Sequence, residues 1–493
     1  MIRLFSSLPP WGRLLILAGF CLYFASFAEG RYRGKSLITD DKYKYAPSLP
    51  PMAVATVFAV YLILDLWSWR GVNGLTQFGL FVLRHAFFVA LFSTILYLVI
   101  KPLRKRYNAA SCSMLWIVIN YLYFYMFTMA ATGLYEPLIK LTVPKNAFTY
   151  ITLAYLLIAA AVFIKGCAEH LAFRNRVLSA AVPVDNEEIT GRLAQIATDL
   201  SGRSLSYDIL VSDEISSPLS IGVFDKTAYI VLPRTDYSYD EMDLILRHEV
   251  IHLLRNDPQT KMFMLFCRSL LWWYPLMPKC SELCSQDIEF SCDEAVLYGS
   301  DEKEKHLYAD LVIANASDDT GFTTCLSAKA EALRYRLKRI MEPPVDRSGR
   351  VLIAVAMAVI SLAVNLVSIE VPAGKLGIIL SMPQIGTEEL KINYLYVDGR
   401  ITGFEPEEQE KLLGMISDMD VSISERAYKY DGPRIQVDML WNGRWARVNI
   451  ERGLIYAVGD ELYKGDRIFV HPYWPADENA VKAIVELVNK KDL

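Results

Sequence analysis

The chain has 493 residues, more than one ordinary domain and enough for about three. Its composition is 53% hydrophobic and 12% aromatic, an apolar load that soluble proteins of this length rarely carry and that points to a membrane protein. The net charge of −4, from 51 basic and 55 acidic residues, excludes a global field for nucleic acid; the eight cysteines, none after Cys325, exclude a secreted disulfide scaffold for the C-terminal part.

Five apolar runs occupy about 11–28, 51–69, 77–100, 112–133 and 148–165, and a sixth, Val351–Ile369, stands alone downstream. Each approaches the ~20 residues a helix needs to cross hydrocarbon. The first reads as a retained helix rather than a signal peptide, because no small-residue cleavage site follows it and Arg31, Arg33 and Lys35 lie on its far side. Basic residues in the short loops set the orientation. The loops after the first and third runs carry Arg31, Arg33, Lys35, Lys42, Lys44, Lys101, Arg104, Lys105 and Arg106; those after the second and fourth carry only Arg70, Lys140 and Lys145. Nine against three puts the first pair of loops inside. The N-terminus is then outside, 166–350 cytosolic and the tail from about 371 extracellular, and the basic cluster Lys329–Arg350 before the sixth run agrees. Asp65 and Arg84 fall inside the second and third runs, where a structural ion pair or snorkelling is favoured over transport.

The cytosolic stretch mixes helix and strand. Ile189, Leu193, Ile196 and Leu200 share one face of a helix over 186–201. Residues 228–232, closed by Pro233, read as a strand, placed as an edge strand that pairs with an extended peptide. A helix starts near Asp240 and runs through His252. Residues 262–277 read as a buried or membrane-surface helix, and a further helix covers about 279–298. In the tail, a strand at Leu390–Val397 meets a turn at Asp398-Gly399, a helix covers 406–418, Asn442-Gly443 joins Arg434–Leu440 to Arg444–Ile450 as a hairpin, and a last helix spans about 477–490.

The chemistry concentrates in the segment HEVIH. Only six histidines occur in the chain, and His248 and His252, four apart on a helix, project from one face towards one zinc ion. Glu249 stands beside that ion as the base that takes a proton from water. A catalytic zinc needs a third protein ligand. Glu289, one helix later, supplies it, and Asp293, a turn further on, is placed to hold the second nitrogen of a ligand histidine, His248 by preference. Taken alone, the ExxxD pattern is no more than a solvated acidic face; its position after HExxH gives it meaning. Cys280, Cys284 and Cys292 match no CxxC pair and read as packing, with Cys292 close to the metal but not bound to it. Asp257 either braces the helix end or merely stops it, and His306 and Tyr308 are oxyanion candidates that nothing separates from surface residues.

With Pro218, Gly222, the strand Ile230–Pro233, HEVIHLLRNDP, the Trp-Trp-Tyr-Pro run and EFSCDEAVL in that order over about 185–345, the chain resembles the BlaR/MecR-type antirepressor membrane metallopeptidases. The resemblance implies His248, His252 and Glu289 as zinc ligands, Glu249 as catalytic acid/base, a cytosolic protease face and an extracellular sensor. It also implies proteolysis that relieves a cytosolic repressor of the BlaI/MecI type. Two features depart from it. Five spans precede the protease rather than three, and the short tail has no SxxK serine, since Ser381, Ser417, Ser422 and Ser424 each lack a lysine three residues on. Covalent β-lactam sensing is therefore not expected.

The fold expected is an α-helical polytopic membrane protein with an inserted α+β zincin-like metallopeptidase domain and a small C-terminal α+β domain. Its divisions are a transmembrane bundle at 1–166, the cytosolic peptidase domain at 167–350, a transmembrane helix at 351–369 and an extracellular sensor domain at 371–493. The function expected is that of a multi-pass bacterial zinc endopeptidase that cuts a cytosolic repressor or itself on an extracellular signal. It would be lipid-embedded, make no direct nucleic-acid contact, take an unidentified outer ligand and leave a homodimer open. The alternatives are a catalytically silent receptor with structural zinc and a membrane quality-control protease of the HtpX type.

Overall fold

The structure is a computed structural model that describes residues 10–33, 52–68, 72–120, 137–222, 228–315, 325–343, 347–380, 382–383, 390–424, 433–441, 444–451, 454–459, 474–475 and 477–489. Its N-terminal third is helical: α1 (Pro10–Arg33), α2 (Met52–Ser68), α3 (Val72–Arg104), α4 (Ala109–Asn120) and, after a short strand β1 (Ile139–Thr142), α5 (Lys145–Ser179). Among the described residues, Phe78–Arg104 and Lys145–Ser179 are long and apolar enough to cross a membrane, while Leu14–Ser26, Ala109–Ile119 and Arg350–Leu366 are apolar but shorter. The expected span at 112–133 is described only to Asn120. Arg84 is buried on α3, and the side chain of Asp65 lies outside the described residues.

Helix α5 has 35 residues. At 1.5 Å per residue it is roughly 50 Å long, well beyond the ~30 Å hydrocarbon thickness. The boundary expected at 166 therefore falls inside one continuous helix, whose last turns belong to the next layer. There a four-stranded sheet runs in the order β2 (Val182–Pro183), β3 (Asp208–Val211), β5 (Tyr229–Leu232) and β4 (Leu219–Ile221). The strand expected at the edge is thus internal. β5 lies between parallel β3 and antiparallel β4, and among the described residues β2 and β4 are the terminal strands.

α6 (Glu187–Ser201), α7 (Tyr239–Leu254), α9 (Met277–Val296), α10 (Glu302–Ala314) and α11 (Cys325–Met341) share a core with this sheet, and α8 (Asp257–Leu270) lies outside it. Local chemistry sets their ends. Asn186 caps α6 by accepting from the amides of Glu188 and Ile189, and Gly202, at φ 66°, closes it in the left-handed region. Ser238 and Glu241 form a capping box at the start of α7. The apolar helix expected at 262–277 begins earlier, at Asp257, and buries Phe263, Met264, Cys267 and Leu270 in the same core as α3, α4 and α12 (Arg350–Ala363).

The sixth apolar run is helical only to Ala363, with a 3-10 turn to Leu366; Val367–Ile369 open a strand instead, β6 (Val367–Lys375). β6 pairs in parallel with β1, Ile139 opposite Val367. The sheet continues through β9 (Asp420–Ser424) to β13 (Trp474–Pro475). A second, five-stranded sheet holds β7 (Lys391–Val397), β8 (Arg400–Ile401), β10 (Ile435–Trp441), β11 (Arg444–Glu451) and β12 (Leu454–Gly459). Asp398 and Gly399, at φ 48° and 83°, make the two-residue turn between β7 and β8, and β10–β11 is the expected hairpin, its Asn442-Gly443 tip outside the described residues. Helices α13 (Pro406–Asp418) and α14 (Glu478–Asn489) complete this α+β unit.

Candidate metal centre

Helix α7 turns one face into a cavity of about 310 Å³ and presents His248, Glu249 and His252 there; Glu289 of α9 faces them. The two Nε2 atoms are 3.0 Å apart, and Glu289 Oε2 lies 3.5 Å from each. Four ligands at the ~2.0–2.1 Å of zinc–nitrogen and zinc–oxygen bonds form a tetrahedron with edges of roughly 3.3 Å. The triangle matches that size. Its three atoms converge as first-row metal ligands do, and Glu249, 5% exposed, stands beside them in the cavity.

The far nitrogen of each imidazole is braced. Asp257 Oδ2 accepts from His252 Nδ1 at 2.7 Å, and Tyr308 Oη meets His248 Nδ1 at 2.8 Å. An acceptor at Nδ1 fixes the proton there and leaves Nε2 bare for a metal. Asp257 reaches back because Asn256, at φ 56°, takes the left-handed conformation between α7 and α8. Asp293, expected on His248, is 3.8 Å from that ring, too far for a hydrogen bond. Tyr308 bridges the gap by donating to Asp293 Oδ1 at 2.7 Å, and Arg336 of α11 holds both oxygens of Asp293 at 2.8 Å. Tyr308 is buried, belongs to the brace and lines the same cavity, whereas His306 is exposed. Tyr308 and Arg336 carry no sequence signal of their role.

Charge favours this arrangement. In the metal-free protein burial opposes ionisation of Glu289, yet a charged His252, the Lys261 ammonium and the closeness of both imidazoles hold its carboxyl well below the usual range. Lys261 Nζ is 3.5 Å from Glu289 Oε1, and Arg336 Nη2 is 3.8 Å from Oε2. Cys292 is fully buried, and its Sγ, with His248 and His252, makes a second set of ligand atoms within 4.8 Å of one another. It donates to the His248 carbonyl and belongs to the apolar core behind α7, whereas Glu289 lines the cavity.

A family model described as BlaR1 peptidase M56 matches residues 134–340. These residues are an M56 peptidase domain. The match begins ahead of α5 and ends on α11, so it takes in every residue of the centre just described. The chain is also 31% identical over 124 residues to "Regulatory protein BlaR1" of Bacillus licheniformis, a stretch that covers 25% of this chain and 20% of that protein. The M56 domain thus stands in a largely helical chain in which two described helices can cross a membrane.

Proposed function

We propose that this chain is an integral-membrane zinc endopeptidase that relays an outer signal by cutting a cytosolic repressor, or itself. The observation that carries the reading is the triangle of His248, His252 and Glu289, of the size zinc requires, with Glu249 beside it on an open cavity. Glu289 is the third ligand on this reading, because it lines the cavity where the fourth position must stay open.

When bound, zinc supplies the Lewis acidity that makes water a nucleophile near neutral pH. Glu249 takes the proton from the attacking water and returns it to the leaving amine. Arg336 and Lys261, the cations of the cavity, face the negative charge that develops on the carbonyl oxygen. Strand β4, with Ser217 and Pro218 just ahead of it, forms one wall, and as a terminal strand of its sheet it can pair with an extended peptide and draw it across the metal.

Several features support the topology. Apolar side chains on α3, α5 and α12 face outward, among them Leu98 at 70% and Val351 at 67% exposure, as lipid-facing surfaces do. Parallel pairing of β1 with β6 puts the start of α5 and the end of α12 at one end of the bundle. The last turn of α5 meets the peptidase sheet, with Ser212 Oγ donating to Val177 O, and the α12 start contacts α4 through Gly349 N and Ser111 Oγ. On this reading the C-terminal unit and the peptidase take opposite ends of the bundle, with the basic loops and the peptidase inside.

The test is reconstitution of the full chain in lipid nanodiscs with a small winged-helix repressor of the BlaI/MecI type. Wild type cuts the repressor or itself; Glu249→Gln keeps one zinc per chain and cuts nothing. Proteolysis retained in that variant contradicts the mechanism. A zinc-loaded wild type that cuts neither protein supports a silent receptor instead.

A further inference from the structure

Beside the metal cavity lies a second one of about 200 Å³ that nothing above uses. It is walled by Ile221 of β4 and by Pro258, Met262 and Leu265 of α8, and His170 of α5 closes it. The two cavities share Ser220, His252 and Lys261, so the smaller opens beside the metal ligands and beneath the strand that would hold a peptide. Side chains alternate along an extended peptide, so a residue next to the scissile bond of a peptide laid along β4 can point into this space.

His170 gives the space its chemistry. Its Nε2 is buried and has no hydrogen-bond partner among the described residues. Burial, with Arg174 nearby, lowers its pKa, so the ring is neutral and offers an uncharged hydrogen-bonding atom to a space lined by apolar side chains and by Ser220, His252, Asp257 and Lys261. A buried polar atom without a partner is costly, and an occupant that meets it recovers that cost. Both a carboxylate, Asp257, and the Lys261 ammonium line the space, so an acidic and a basic side chain each meet a like charge there.

We infer that this cavity, bounded by His170, Ile221 and Met262, is a substrate side-chain subsite selective for a neutral residue with an apolar stem and an amide tip, glutamine before asparagine, at one position flanking the cut bond. The inference rests on the peptidase reading above, and it makes His170 a specificity-determining residue rather than a catalytic one.

The test is binding, so that it does not depend on turnover. Zinc-loaded full-length Glu249→Gln protein in nanodiscs is titrated with short peptides bearing a hydroxamate at either end, identical except for Gln, Leu, Lys or Glu at the residue next to the hydroxamate. One of the two series is expected to bind its Gln member about tenfold more tightly than its Leu member, the effect of one buried hydrogen bond, and more tightly still than its Lys member. His170→Leu erases the Gln advantage while the Leu peptide binds as before. A Gln preference that survives His170→Leu, or no preference in either series, overturns the subsite and leaves the protease proposal intact if wild type still cleaves. Failure of every hydroxamate to bind overturns the subsite and the metal centre together. Should His170→Leu fold poorly, His170→Gln serves in its place and must lower the preference without lowering affinity for the Leu peptide.

Discussion

Replacing Tyr308 by Phe removes one oxygen and keeps the ring packing. That oxygen joins His248 Nδ1 at 2.8 Å to Asp293 Oδ1 at 2.7 Å, and Tyr308 is only 4% exposed. Asp293 keeps both of its bonds from Arg336, so the unmet group is the Nδ1–H of His248. A buried donor left without a partner costs about 1–3 kcal/mol. Loss of such a brace weakens metal binding roughly 10- to 100-fold, which corresponds to about 1.4–2.7 kcal/mol; the two figures agree. Competition against a fluorescent zinc chelator measures it. Tyr308→Phe and Asp293→Asn are each expected to weaken binding within that range, and the double variant to be no weaker than the worse single one. Zinc affinity unchanged in Tyr308→Phe but lost in Asp293→Asn refutes the bridge and restores a direct contact between Asp293 and His248.

Asp287 accepts from Arg104 Nε at 2.8 Å and from Trp116 Nε1 at 2.9 Å, two residues from the proposed ligand Glu289. Asp287→Ala leaves a guanidinium only 7% exposed without its carboxylate and is expected to cost about 3–5 kcal/mol in denaturant unfolding of the detergent-solubilised chain; a loss under about 1 kcal/mol contradicts that. In the metal-free protein, burial lowers the His248 pKa, but a Cys292 thiolate charge and hydrogen bonds donated by the imidazolium to Cys292 and Glu289 carry it from 6.5 to about 10. A raised imidazole pKa contributes stability that is complete below pH 6.5 and lost as pH climbs through about 10, so metal-free melting temperature should fall across that window while zinc affinity rises. A flat metal-free profile over those pH values refutes it. If β4 pairs with substrate, N-methylation of a peptide at alternate backbone amides should weaken binding at one set of positions and not the other; equal effects at all positions count against pairing.

The pairing of the candidate ligands is legible because helical periodicity is local: residues four apart share a face whatever surrounds them, which brings His248 to His252 and Glu289 to Asp293. The braces are not. Tyr308 lies 60 residues from His248 and Arg336 lies 43 from Asp293, and only the packing of α10 and α11 brings them in. Asp257 looked equally like a helix stop, because its contact depends on the left-handed turn at Asn256. Strand order is likewise a tertiary property, so the edge passed from the strongly apolar Tyr229–Leu232 to the short Leu219–Ile221. An apolar run does not mark where a helix gives way to a buried strand, and Val367–Ile369 were counted with the span for that reason. Helix ends with explicit caps, at Asn186 and Ser238, fell within a residue or two of their expected positions.

X-ray absorption at the zinc edge of the full-length protein tests the centre most directly. Two imidazoles and the Glu289 carboxylate should give a shell of nitrogen and oxygen alone at about 2.0–2.1 Å, unchanged in Cys292→Ala and diminished in Glu289→Gln. A sulfur shell at about 2.3 Å that disappears in Cys292→Ala would show that the thiol, not the carboxylate, completes the site.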